Sequence, residues 1–376
     1  PQHVVRDFVD KCQRYSRIYV SMQEDGSEDD LSYIKLINYG EKVVTNRMHG
    51  YLRMRIAQFL TVIHPTEHTI YLTRHGQSEY NVLGKIGGNP PLSAAGAEFA
   101  SRLGQWTSPH AFALRGRLAK CRLWTSSLQR TILTASHIPH PVIPYSLVGK
   151  PMGSYEVRTA LGIATPAEVE AHNAAMSAEA ESALSSSPPR VRRPSSHAHE
   201  WSPSLAPTPV DLSMDADQDM PLLSGSVEQP RVDPVWHQCA PRVYRNLDEI
   251  FAGEYEGKTY EAVKALAPDE ASLRARDKIG YRYPRGESYF DILARLDPLV
   301  HELESYHEPL IIVSHQAVLR LVYSYLKGYS RAKAPRIEIP LHTVIKITYD
   351  GWNPPHEERF FLGPEIDKTQ EGQRNL

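Results

Sequence analysis

Residues His68 to Asn81, HTIYLTRHGQSEYN, decide how this chain is read. Ile70, Tyr71 and Leu72 are consecutive large apolar residues, the pattern of a short strand buried on both faces. The strand runs without a turn residue into Arg74-His75-Gly76. In open α/β sheets ligands bind beyond the C-terminal ends of the strands, so this triplet stands where chemistry is expected. Its imidazole is a nucleophile that can attack phosphorus, its guanidinium can hold phosphate oxygens, and its glycine lets backbone approach a ligand. A triplet alone is too short to carry an assignment.

Two further strand ends support it. PLIIVSHQAV ends its apolar run in His315, and parallel strands would bring His75 and His315 to one edge of the sheet. WTSSLQRT puts Arg130 early in the following helix, where dipole and guanidinium both favour an anion. Helical periodicity predicts helices over Ser93 to Trp106, from about Leu128, over Tyr289 to Leu303 and through Ala317 to Leu326. Strands alternating with helices imply an α/β fold, a mainly parallel sheet flanked by helices. A phosphoryl transfer also needs a proton for the leaving oxygen. Glu249 in NLDEIFAGEYEG is the preferred donor, with Asp248, Glu254 and Glu256 as rivals that the residues themselves leave open.

Upstream, DDLSYIKLINYGEKVVTN alternates around Ile34, Leu36 and Ile37 and turns at Tyr39-Gly40, a hairpin pattern. Leu52, Ile56, Phe59, Leu60 and Ile63 then fall at helical spacing until Pro65 stops the run. Composition shifts after Pro139, and residues 151–235 are rich in Ala, Ser and Pro. Apart from an alanine-rich helix over Thr165 to Leu184, this stretch is expected to be a disordered insert. Within it Arg192-Arg193-Pro194-Ser195 has the form of a basic-directed phosphorylation site.

The 376 residues, 41% hydrophobic, suffice for a substantial core, and a formal net charge of -2 gives no sign of nucleic acid or an anionic membrane as partner. Cys12, Cys121 and Cys239 lack the paired spacing of a metal site or disulfide framework, so no metal is expected and a reducing, cytoplasmic setting is. No run approaches the roughly 18 apolar residues of a membrane span. The chain opens at Pro1 without methionine and is read as a piece of a longer polypeptide. Gly253-Glu254-Tyr255-Glu256-Gly257-Lys258-Thr259 has three residues between its glycines where a phosphate-binding P-loop needs four, so no nucleotide site is assigned to it.

Together TIYLTRHGQSEYNVLGKIGG, WTSSLQRTI, LDEIFAG, YRYPRGESYFDIL and IIVSHQAVLR resemble the bisphosphatase half of the bifunctional 6-phosphofructo-2-kinase/fructose-2,6-bisphosphatases, within the histidine phosphatase superfamily. The resemblance implies the histidine phosphatase, phosphoglycerate mutase-like, fold. It implies a domain over 69–150 and 236–376, with 1–68 similar to the closing piece of the family's kinase domain through LSYIKLINYG and NRMHGYL. His75 would be the phosphohistidine nucleophile, Glu249 the proton donor, and Arg74, Arg130 and His315 the clamp around the transferred group. Asn81, Gly87, Tyr260, Arg274, Lys278, Tyr289, Gln316 and Arg320 would bind a sugar bisphosphate, with no cofactor. Arg274 and Lys278, four residues apart, are expected to share a helix face. The resemblance also implies fusion to an ATP-binding kinase domain and leaves a homodimer open. Two departures stand out: Gln77 and Asn89 replace acidic residues usual in the family.

Overall fold

The computed structural model describes residues 2–23, 25–38, 41–62, 67–185, 233–351 and 353–364. The Tyr39-Gly40 turn, the Pro65 helix stop and the Arg192 to Ser195 string lie outside them. An amphipathic helix α1 (Gln2–Ile18) is followed by an antiparallel hairpin of β1 (Tyr33–Ile37) and β2 (Lys42–Asn46), and then by helix α2 (Tyr51–Val62).

A six-stranded sheet forms the centre of the rest. Its strands are β3 (His68–Arg74), β4 (Arg122–Thr125), β5 (Pro241–Val243), β6 (Leu310–Ser314), β7 (Thr343–Tyr349) and β8 (His356–Phe361). They lie in the order β8-β7-β3-β6-β4-β5. The pairs β3/β6, β6/β4 and β4/β5 are parallel, while β7 and β8 add an antiparallel edge. Residues of β3 alternate between two cores. Ile70 and Leu72 join one with α8 (Tyr289–Glu304) and α9 (Gln316–Leu326), and Tyr71 joins another with α3 (Ala94–His110). Helices on both faces are why the strand reads as an unbroken apolar run.

Register fixes the site. Ser314 of β6 lies opposite Arg74 of β3, so His315 and His75 leave the sheet side by side. Beyond β4 the chain enters α4 (Gln129–Ala135), which carries Arg130.

The structure moves the start of the expected insert. Pro151 bridges Arg117, and Val157 and Leu161, on the helix α5 (Tyr155–Ala160) and just beyond it, are 0% and 6% exposed in the core that holds Phe99 and Leu103. Two apolar residues at i,i+4 suffice to dock one helical turn, and an Ala/Ser/Pro-rich average hides them. The alanine-rich segment forms α6 (Pro166–Ser185), tied to α5 by an Arg158–Glu168 ion pair and by Tyr155 stacked on His172 at 3.8 Å. Residues 186–232 lie outside the described residues. Where the description resumes, Val235–His237 pairs antiparallel with Val142–Pro144, so the excursion leaves and returns beside the same sheet.

Candidate active site

His75 is 4% exposed, and its backbone N–H donates to Ser314 O at 3.0 Å. Its Nδ1 lies 2.7 Å from Gly76 O. A carbonyl only accepts, so Nδ1 carries a proton, and in the neutral ring the lone pair is on Nε2. The next three backbone N–H groups are each held: Gly76 by Thr134 Oγ1 at 2.9 Å, Gln77 by His342 Nε2 at 3.1 Å, and Ser78 by Asn81 Oδ1 at 2.9 Å. Gly76 is required by close approach, because a Cβ there would run into the Gly96 carbonyl of α3.

His315 is wholly buried, its ring centroid 5.1 Å from that of His75. Its Nε2 is 2.7 Å from Ser126 Oγ, which fixes the ring, and its buried Nδ1 has no hydrogen-bond partner among the described residues. Burial, then Arg130, His75, Arg74 and Arg295, push its pKa well below the ordinary histidine value, so His315 is neutral. Two buried guanidiniums complete this group. Arg74 Nη1 donates to Ile339 O at 2.9 Å, and Arg130 Nη1 donates to Gly88 O at 2.8 Å. Burial lowers the Arg130 pKa, opposed by the charges of Glu249, Glu256 and Asp248.

The four acid candidates separate by their partners. Asp248 accepts from the Ser127 amide and hydroxyl, Glu254 pairs with exposed Arg285, and Glu256 accepts from the Gly88 and Ala252 amides. Of the four, only Glu249 lines the cleft that holds His75. Its Oε1 accepts from Ile250 N at 2.9 Å and Ala317 N at 3.2 Å, in the first turn of α9. Arg295 anchors the loop from behind, donating to the Asn246 and Asp248 carbonyls and to the Glu287 carboxylate.

The same cleft holds a second cationic group. Arg274 Nε donates to Tyr283 OH at 3.0 Å, and its guanidinium lies 4.9 Å from the Tyr260 ring centroid. Arg320 donates to Ile337 O at 2.7 Å and to Tyr289 OH at 3.3 Å. Burial, then Arg274, Arg320 and Arg336, pull the Lys278 pKa down to about 8. Arg130 and Arg74 act on His315, whereas Arg274, Arg320 and Arg336 act on Lys278. The shared helix face does not hold: the helix α7 (Pro268–Arg276) ends before Lys278, and Asp277 takes φ −134, so a turn brings Lys278 and Arg274 to one cleft.

Asn81, Gly87 and Gln316 also line the cleft, so of the thirteen residues named from sequence His315 alone is not on its surface. Lys85, Tyr80, Tyr281 and Tyr283 line it without having been singled out, although all four lie in the motif runs quoted above. Neither Gln77 nor Asn89 lines it. Gln77 Oε1 accepts from Ser93 Oγ at 2.8 Å, and Asn89 Oδ1 accepts from Gln129 N at 2.7 Å at the start of α4. Both brace the frame, in positions where an acidic side chain would accept the same bonds.

Residues 70–146 and 236–358 match the model of the histidine phosphatase superfamily, branch 1. The chain belongs to that superfamily. Residues 1–67 match the model of 6-phosphofructo-2-kinase. The chain is 32% identical over 362 residues to an Arabidopsis thaliana 6-phosphofructo-2-kinase/fructose-2,6-bisphosphatase, covering 95% of this chain and 34% of that protein. It is 31% identical over 342 residues to the human 6-phosphofructo-2-kinase/fructose-2,6-bisphosphatase 4, covering 91% of this chain and 50% of that protein. The chain thus spans half or less of the length of these relatives. Among solved structures, a mycobacterial glucosyl-3-phosphoglycerate phosphatase aligns with TM-score 0.42 at 16% identity, over 77% of this chain and 96% of that one.

Proposed function

We propose that this chain is a fructose-2,6-bisphosphate 2-phosphatase acting through a phosphohistidine on His75. The observation that carries the reading is a single cleft lined by His75 with Arg74 and Arg130 and also by Arg274, Lys278 and Arg320. A substrate bearing two phosphates needs two such sets of donors. The names of the relatives supply the sugar, and the match of residues 1–67 supports a kinase domain joined to this one in the natural protein.

In the first step His75 Nε2 attacks the phosphorus of the 2-phosphate while the bond to the C2 oxygen breaks. Glu249 delivers its proton to that oxygen, and fructose 6-phosphate departs. Arg74, Arg130 and His315 stabilise charge on the phosphoryl oxygens in flight. Water then attacks the phosphohistidine, giving up a proton to the Glu249 carboxylate and releasing inorganic phosphate. Asn81, Gly87, Tyr260, Tyr289 and Gln316 orient the sugar, and Arg274, Lys278 and Arg320 hold the 6-phosphate. No helix among the described residues is long and apolar enough to cross a membrane. We assign the activity to the cytoplasm, a reducing setting that suits three free cysteines.

The test is incubation with fructose 2,6-bisphosphate labelled at the 2-phosphate. Label is expected first on protein and then as free phosphate, with both lost in His75→Ala. Turnover of a panel of other phosphorylated metabolites in preference to this one would overturn the substrate assignment, and wild-type labelling of His75→Ala would overturn the nucleophile.

A further inference from the structure

We propose that His342 is a positioning residue for the nucleophile, acting through one peptide plane. This rests on the reading of His75 as the group that accepts phosphoryl. His342 is fully buried at the mouth of β7, with its ring stacked on Phe99 at 4.8 Å and 13°. Its Nε2 lies 3.1 Å from the Gln77 amide, which can only donate, so Nε2 is unprotonated. Its Nδ1 therefore carries the proton and donates to Pro364 O at 2.9 Å.

The amide that His342 holds belongs to the same peptide unit as Gly76 O, which accepts the Nδ1 proton of His75. That unit is rigid and planar, so fixing its N–H fixes its C=O. The chain runs from Pro364 O to the Nδ1 proton of His342, from His342 Nε2 to the Gln77 N–H, and from Gly76 O to the Nδ1 proton of His75. It ends at His75 Nε2, the atom that faces phosphorus in the reaction. Every donor points the same way, and hydrogen bonds aligned in this sense polarise one another in a low-dielectric interior. A carbonyl that draws on the Nδ1 proton makes Nε2 a better nucleophile and holds the tautomer that can attack. His342 takes a left-handed backbone, φ 55, which sets its ring between Phe99 and the loop.

Two substitutions separate this role from packing. His342→Phe keeps a ring against Phe99 but removes the acceptor for Gln77, and His342→Gln removes the ring but can set an amide oxygen near the place of Nε2. Protein labelling from fructose 2,6-bisphosphate is followed by rapid quench, with fructose 6-phosphate affinity measured by calorimetry. His342→Phe should label about 10- to 100-fold more slowly with product affinity unchanged, as expected when reacting groups shift by a fraction of an ångström. His342→Gln should label within about threefold of wild type despite losing the stack. Should the Phe variant not fold, His342→Asn takes its place, because its shorter amide reaches the Pro364 side alone. The role is overturned if the acceptor-less variant labels at the wild-type rate, or if both variants slow equally in step with lost thermal stability. A wild-type protein that takes no label would instead bring down the reading of His75, and this role with it.

Discussion

Lys278 offers the sharpest test of how the second cationic group works. Its pKa of about 8 reflects burial first and the neighbouring charges of Arg274, Arg320 and Arg336 second. The ammonium is then about nine-tenths charged at pH 7 and about one-tenth charged at pH 9. If only the charged form holds the sugar's phosphate, affinity for fructose 6-phosphate falls about tenfold across that interval. The phosphate does not confound this, since its second pKa is about 6 and it is dianionic throughout. Unfolding does not confound it either. The folded value lies below the ordinary 10.5, so the unfolded chain binds more protons between about 8 and 10.5, and the contribution of Lys278 to stability rises with pH through that window. Titration calorimetry from pH 7 to pH 9 is the assay. Lys278→Arg should flatten the profile, because a guanidinium stays charged. Lys278→Met should bind weakly at every pH. A flat wild-type profile, or a Lys278→Arg variant with the wild-type slope, would refute the placement of the phosphate on Lys278.

Four further outcomes are expected from variants of this chain. Arg295→Met removes the donors that hold the Asn246 and Asp248 carbonyls, so the Glu249 loop should loosen and kcat fall on the order of tenfold with little change in KM; a change confined to KM would argue against it. Leu161→Ala should cost about 2–3 kcal/mol in denaturant unfolding, since this side chain sits in the core with Val157, whereas deletion of 186–232 should leave the unfolding midpoint and phosphatase activity near wild type. Gln77→Glu should change kcat/KM less than about threefold, because a carboxylate can accept the same Ser93 hydroxyl outside the cleft; a large gain or loss in steady-state assays would mean that the neutral side chain sets the rate.

Much of this protein was written locally. Three apolar residues in a row between polar neighbours imply a strand covered on both faces, and two such strands ending in histidine imply a common edge, because parallel register brings equivalent ends together. Sequence therefore determined the α/β architecture and the gathering of His75, Arg74, Arg130 and His315 at one edge of its sheet. It preferred Glu249 but could not exclude Asp248, Glu254 and Glu256, because an acid's surroundings depend on which distant amides and cations it meets. Glu249 was set apart by the first turn of α9 and by the use of its neighbours elsewhere. The turn that brings Lys278 beside Arg274, the docking of Val157 and Leu161 inside a stretch of low-complexity composition, and the line from His342 to His75 were likewise decided by tertiary structure. The turn and the line join residues through a backbone bend or a hydrogen bond across the chain, and the docking rests on a single i,i+4 apolar pair, so none leaves a sustained period in the sequence.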